Sequence, residues 1–164
     1  MSDIPIEKRF KILCEIVRAQ HFAWHEAVVD LCPDVDAAAV TNRMWEVTGR
    51  ETARAYARRM DPNKPIAAQV AAGIAWSSVC MGEDASVQQG DDPNEAWLTH
   101  DGCPWLAWHE KTDLLAEDRP GCDAWFRTTV EGVNEALGTK LQFETLEAMP
   151  DGAPRCRRRF WVQD

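Results

Sequence analysis

The chain has 164 residues and 18.5 kDa, with 45% hydrophobic and 27% charged residues, which fits one compact domain and excludes a disordered chain. Lys and Arg number 18 against 27 Asp and Glu, for a net charge of −9 and a pI near 4.9. An acidic surface repels phosphate, so nucleic acid is not an expected partner, and no apolar run approaches the roughly 20 residues of a membrane span.

Residues 5–31 read as a long amphipathic helix: Phe10, Cys14, Val17, His21, Trp24, Val28 and Leu31 recur at alternating spacings of four and three. Cys32-Pro33-Asp34 ends it. Asp34 or Asp36 can cap a second helix over about 36–60, with Gly49 an interior weak point. After the break at 61–65, Pro65 suits the first position of a third, Ala-rich helix to about Met81, stopped by Gly82.

The period then changes. Residues 85–89 and 95–100 alternate around the turn Asp91-Asp92-Pro93-Asn94, which reads as a hairpin. A short helix follows over about 104–115. Arg119-Pro120-Gly121 reads as a break, and a fifth helix runs from 121 to 137, with Gly138 as its stop. A second hairpin, 140–147 and 155–162 around Pro150-Asp151-Gly152, finishes the chain. Strands clustered as hairpins predict an α+β fold, with N-terminal helices packed on a small antiparallel sheet made of two hairpins. One domain is expected over 1–164: a helical part, 1–82, then a hairpin-helix-helix-hairpin part, 83–164.

The N-terminus turns charged at once and lacks a signal-peptide core, so a cytoplasmic location is expected, and the six cysteines are then reduced thiols. No C-x-x-C pair is present.

Eight Trp against one Tyr is unusual. Either the core is Trp-rich, or several rings, with Trp24, Trp45, Trp105 and Trp125 as candidates, line a pocket for an apolar or aromatic small molecule. His21 and His25 form an H-x-x-x-H pair whose imidazoles, on a helix, point the same way about 6 Å apart at Cβ and could chelate one divalent ion, Zn or Fe. The alternative is a buried, hydrogen-bonded His21 beside an exposed His25. Cys103, just before a helix opening at Pro104, and Cys122, in the expected first turn of another, are candidate thiolates favoured by unpaired N–H groups and the helix dipole. His100 and His109 are candidate bases. The alternative for either thiol is a small buried hydrophobe. In the run Arg155–Trp161, Cys156, Arg158 and Phe160 share one strand face. If that face is the core, Arg158 points inward and needs an anion, from the protein or from a ligand. If the register is reversed, the run is a solvated edge.

The hairpin ending in Cys103-Pro104-Trp105, then Gly121-Cys122, then Asn134-Glu135-Ala136-Leu137-Gly138, then Gly152, Cys156 and Phe160, resembles in order the L-2-amino-thiazoline-4-carboxylic acid hydrolase family, itself similar to 4-vinyl-reductase-type small-molecule domains. The resemblance covers about residues 83–162. Asn134 stands where the family pattern often has an acidic residue. The resemblance implies a ligand pocket between sheet and helices, and ring-opening hydrolysis of a small carboxylated heterocycle. The leading expectation is therefore a hydrolase or lyase acting on a small organic molecule, with Cys103 or Cys122 as thiolate, His100 or His109 moving protons, Arg158 holding an anion, and His21 and His25 holding a metal. Its alternative is a sensor or carrier that binds without turnover. A third reading is an interaction module. The long first helix, with two apolar lines, makes a homodimer a further expectation.

Overall fold

The computed structural model describes residues 4–163; Met1, Ser2, Asp3 and Asp164, at the ends of the expected domain, lie outside the described residues. Helices α1 (Ile6–Leu31), α2 (Ala37–Ala57) and α3 (Ile66–Cys80) precede the hairpin β1 (Asp84–Gln89) and β2 (Glu95–Gly102). Helices α4 (Pro104–Lys111) and α5 (Leu115–Leu137) lead to a second hairpin, β3 (Leu141–Glu147) and β4 (Cys156–Val162), whose connection holds a single 3-10 turn, Met149–Asp151. The four strands form one antiparallel sheet in the order β1-β2-β4-β3, so the two hairpins join through β2 and β4. The α+β expectation holds. Among the described residues no helix is long and apolar enough to cross a membrane.

The core lies between the sheet and the helices α2, α3 and α5. Leu98 and Ala96 of β2, Phe160 of β4 and Leu141 of β3 meet Val70 and Ile74 of α3 and Val133 of α5, all fully buried. The alternation is that of a sheet with one covered face: Ala96, Leu98 and His100 are buried, while Trp97 and Thr99 between them are not. Helix α2 packs closely on α5 because Gly49 has no side chain. A Cβ there would stand 2.1 Å from Thr128 Oγ1 and 2.8 Å from the Trp125 carbonyl. The glycine that weakens α2 as an isolated helix is what lets it dock.

One expectation is corrected and one open alternative is decided. Helix α5 starts at Leu115, not at 121, and runs through Pro120. Pro120 is the sixth residue of the helix, where its missing N–H forfeits the bond to the Ala116 carbonyl. Glu117 and Asp118 in the first turn suit the helix dipole, and the long stretch buried after the proline holds the rest in place. Strand β4 is not a solvated edge. It pairs with β2 on one side and β3 on the other, in the register that turns Cys156, Arg158 and Phe160 inward. On the other face Arg157 stacks 4.4 Å from the Trp97 ring centroid, and Arg159 lies 5.0 Å from that of Trp161 while bonding Glu95 at 2.6 Å.

Candidate functional site: an indole-lined cavity

A cavity of about 460 Å³ opens between the inner face of the sheet and helices α2 to α5. Helix α2 supplies Trp45, Thr48, Thr52 and Tyr56, and α3 supplies Trp76, Ser77 and Ser78. His100 comes from β2, Trp105 and His109 from α4, and Asp118, Cys122, Trp125 and Phe126 from α5. Cys156 and Arg158 come from β4, and Cys103 from the residue before α4. The walls are mainly apolar.

Trp45 takes its place because Gly121 leaves room: a Cβ on Gly121 would stand 2.7 Å from Trp45 Cδ1. Its ring meets Trp105 edge to face at 5.6 Å. His21 lies behind this pair, 5.2 Å from Trp45 and 5.5 Å from Trp105, so the imidazole buttresses the wall rather than facing the cavity. Burial, then the neighbouring His109 and His25, hold its pKa down at about 4. His25 Nε2 donates to Glu117, 3.2 Å from each carboxylate oxygen. The two imidazoles of the H-x-x-x-H pair thus have separate partners, and among the described residues no three His, Cys, Asp or Glu side chains are grouped to hold a metal ion.

Glu83 reaches the cavity through the end of α3. Gly82 turns the chain with φ at +82°, and the Glu83 N–H returns to the Ser78 carbonyl at 3.0 Å, the left-handed helix stop that glycine permits. This sets the Glu83 carboxylate beside His100, 3.3 Å from Nε2, which also meets Ser78 Oγ at 3.0 Å. Burial raises the pKa of Glu83 and, with the Arg158 charge, lowers that of His100 to about 4. Both groups are therefore pushed towards their neutral forms. Across the cavity His109 Nδ1 donates to the Trp105 carbonyl at 3.0 Å, with Asp118 Oδ2 2.8 Å from the same nitrogen.

The thiols behave as buried groups. Cys103 is the residue before α4, as its sequence position predicts, but burial outweighs the helix N-terminus and drives its pKa far up. Cys122 lies well inside α5 because the helix starts earlier than expected, so it has no terminal N–H groups beside it; burial pushes it up to about 12. In both cases desolvation works against the thiolate that the helix position favours. Arg158 is the inward arginine, with its Nη2 3.1 Å from Cys122 Sγ.

Cys103, Cys122, His100, His109, Arg158, Trp45, Trp105 and Trp125 thus converge on one cavity. Trp24 does not: it projects from α1 and is 74% exposed. Trp97 and Trp161 lie on the opposite face of the sheet, and Trp108 packs on Phe22 with its indole N–H donated to Glu15. The tryptophans divide between the two readings the composition left open. Trp76, Glu83, Asp118 and Tyr56 also line the cavity and had no sequence signal beyond position near a helix end or on a helix face. Asn134, where the hydrolase pattern has an acid, ties α5 to β3 instead: its side chain donates to the Leu141 carbonyl and accepts from the Leu141 N–H and Thr139.

No family profile and no curated protein matches the chain. Solved structures do. The fold is similar to that of a trafficking protein particle complex subunit 3 from Naegleria fowleri, covalently bound to palmitic acid, with 16% identity over 94% of this chain and 97% of that one and a TM-score of 0.59. It is this fold that the two chains share. The phenol-responsive sensory domain of the transcription activator PoxR, solved with phenol, aligns at a TM-score of 0.49 and 16% identity over 88% of this chain and 73% of that one.

Proposed function

We propose that this protein is a small-molecule-binding domain, a sensor or carrier that holds an apolar or aromatic ligand in the cavity and releases it unchanged. The observation that carries this reading is the cavity: about 460 Å³, within the ordinary 300–1,000 Å³ of ligand sites, with mainly apolar and aromatic walls and few polar groups. The fold-level likeness to a subunit that carries a palmitoyl group supports the same reading. The form of the hydrolase reading that uses a cysteine needs an activated thiolate. Here the two candidate thiols are held protonated by burial, and His100 and His109 bond Ser78 and the Trp105 carbonyl rather than a thiol.

The test is titration of the full chain with naphthalene derivatives, read by indole fluorescence, followed by mass spectrometry of the recovered ligand. Saturable binding of an unchanged ligand, retained in Cys103→Ser and Cys122→Ser, is expected. Conversion of the ligand, lost in either variant, overturns the reading in favour of an enzyme.

A further inference from the structure

Arg158 sits on a central strand with only 3% of its side chain exposed, yet it is poorly paired. Its Nη2 reaches a thiol, Cys122 Sγ, which is a weak acceptor. Its guanidinium carbon lies 4.1 Å from the Phe126 ring centroid, a contact that satisfies no N–H. The nearest carboxylate oxygen, Asp123 Oδ1, is 3.9 Å away and already accepts from Thr145 at 2.8 Å. Nε is buried with no hydrogen-bond partner. Of the other acids at the cavity, Glu83 lies 3.3 Å from His100 and Asp118 Oδ2 lies 2.8 Å from His109 Nδ1, though without a hydrogen bond of its own; the ion pair within reach of Arg158 is the long one to Asp123. A buried cation without a close anion is costly, by several kcal/mol for an isolated charge. The side edge of the guanidinium, Nε and Nη2, presents parallel donors that match a carboxylate.

We propose that the cavity selects an amphiphilic monocarboxylate, its carboxylate bound by the Arg158 guanidinium and its aromatic or alkyl body lying among Trp45, Trp105 and Trp125. This rests on the reading of the cavity as a binding site and names the class of ligand. The ligand's charge completes the pairing that Asp123 leaves open, and its apolar body fills space that water would occupy unfavourably. Burial keeps Cys103 and Cys122 as neutral thiols, so they do not neutralise the guanidinium beforehand.

The experiment compares matched probes, 2-naphthoate with 2-naphthamide and decanoate with 1-decanol, by fluorescence or calorimetric titration of the full chain. The acid is expected to bind at least tenfold more tightly than its neutral counterpart in one pair or both. Arg158→Met is expected to bring the ratio of acid to neutral affinity down to about one, a ratio read within the variant, with circular dichroism reporting that it is folded. Arg158→Lys retains part of the preference. If Arg158→Met does not fold, Arg158→Lys and the wild-type preference decide. Equal affinities for acid and neutral probe in the wild type, or a preference that survives Arg158→Met, overturn the proposal and leave the binding reading standing. Failure of all four probes to bind overturns both.

Discussion

Helices α1 and α3 make opposite use of their apolar residues. In α1, 26 residues long, only Cys14, Arg18 and Phe22 are buried; in α3, 15 residues long, seven are. The long helix has the cleaner amphipathic pattern, yet of its expected stripe only Cys14 is buried and His21 and Val28 half-buried, while Phe10, Val17, Trp24 and Leu31 stay exposed. The inward face is rotated to one side of that stripe, through Cys14, Arg18 and Phe22, and Arg18 holds it: Nη1 donates to the Met81 carbonyl at 2.9 Å, closing the C-terminus of α3, and Nη2 bonds Glu15 at 2.7 Å. Periodicity finds a helix, but the partner surface decides which side of it is covered. The short helix needs no stripe because Ala67, Ala71 and Ala75 let it sink between sheet and neighbours.

The contrast can be broken at several points. Ile74→Ala, in the fully buried face of α3, is expected to cost about 2–5 kcal/mol in urea unfolding. A loss under about 1 kcal/mol would show that α3 is not the keystone of the core.

Stability is also expected to fall on acidification. His100 and His21 are held neutral in the fold with pKa near 4, while an unfolded His takes its proton near 6.5. Their contribution is therefore complete above pH 6.5 and is lost between 6.5 and 4. For His100, 5% exposed, this is at most about 3 kcal/mol. Glu83, with its pKa raised, works in the opposite direction, the native state gaining as its carboxyl protonates. A pH series of urea midpoints on the wild type and His100→Gln separates the two; an unchanged slope in the variant would remove His100 as the cause.

Arg18→Met leaves the Met81 carbonyl without its donor, and a loss of about 1–3 kcal/mol is expected by thermal or urea unfolding. Gly121→Ala displaces Trp45, so ligand affinity in the fluorescence titration should drop several-fold with a smaller change in stability; unchanged affinity would detach Trp45 from the site. Leu13→Ala, on the open side of α1 and 58% exposed, is expected to stay within about 0.5 kcal/mol of wild type.

Much of the scaffold was legible. The change from helical to alternating period near Asp84, the glycine stops at Gly82 and Gly138, and the common face of Cys156, Arg158 and Phe160 all follow from local rules, and the structure bears each out; pairing on both sides of β4 decided that this face turns inward. The start of α5 was not, because a proline five residues into a helix reads locally as a break while its tolerance depends on what packs afterwards. Trp24 and Trp105 look alike in sequence, and only their helices' orientation sends one to solvent and the other to the cavity. Cys103 and Cys122 were assigned by helix position, whereas their protonation is set by burial, a property of every neighbouring element.

From the chain's residues alone came the α+β class, the paired hairpins and the shared strand face of Cys156, Arg158 and Phe160, since each depends on steric and hydrophobic periods a few residues long. The enclosure of a cavity, the rings that line it, the burial of its thiols and the long 3.9 Å ion pair at Arg158 were decided by tertiary structure. Desolvation and charge pairing sum over groups that lie far apart in the chain and meet only once it is folded.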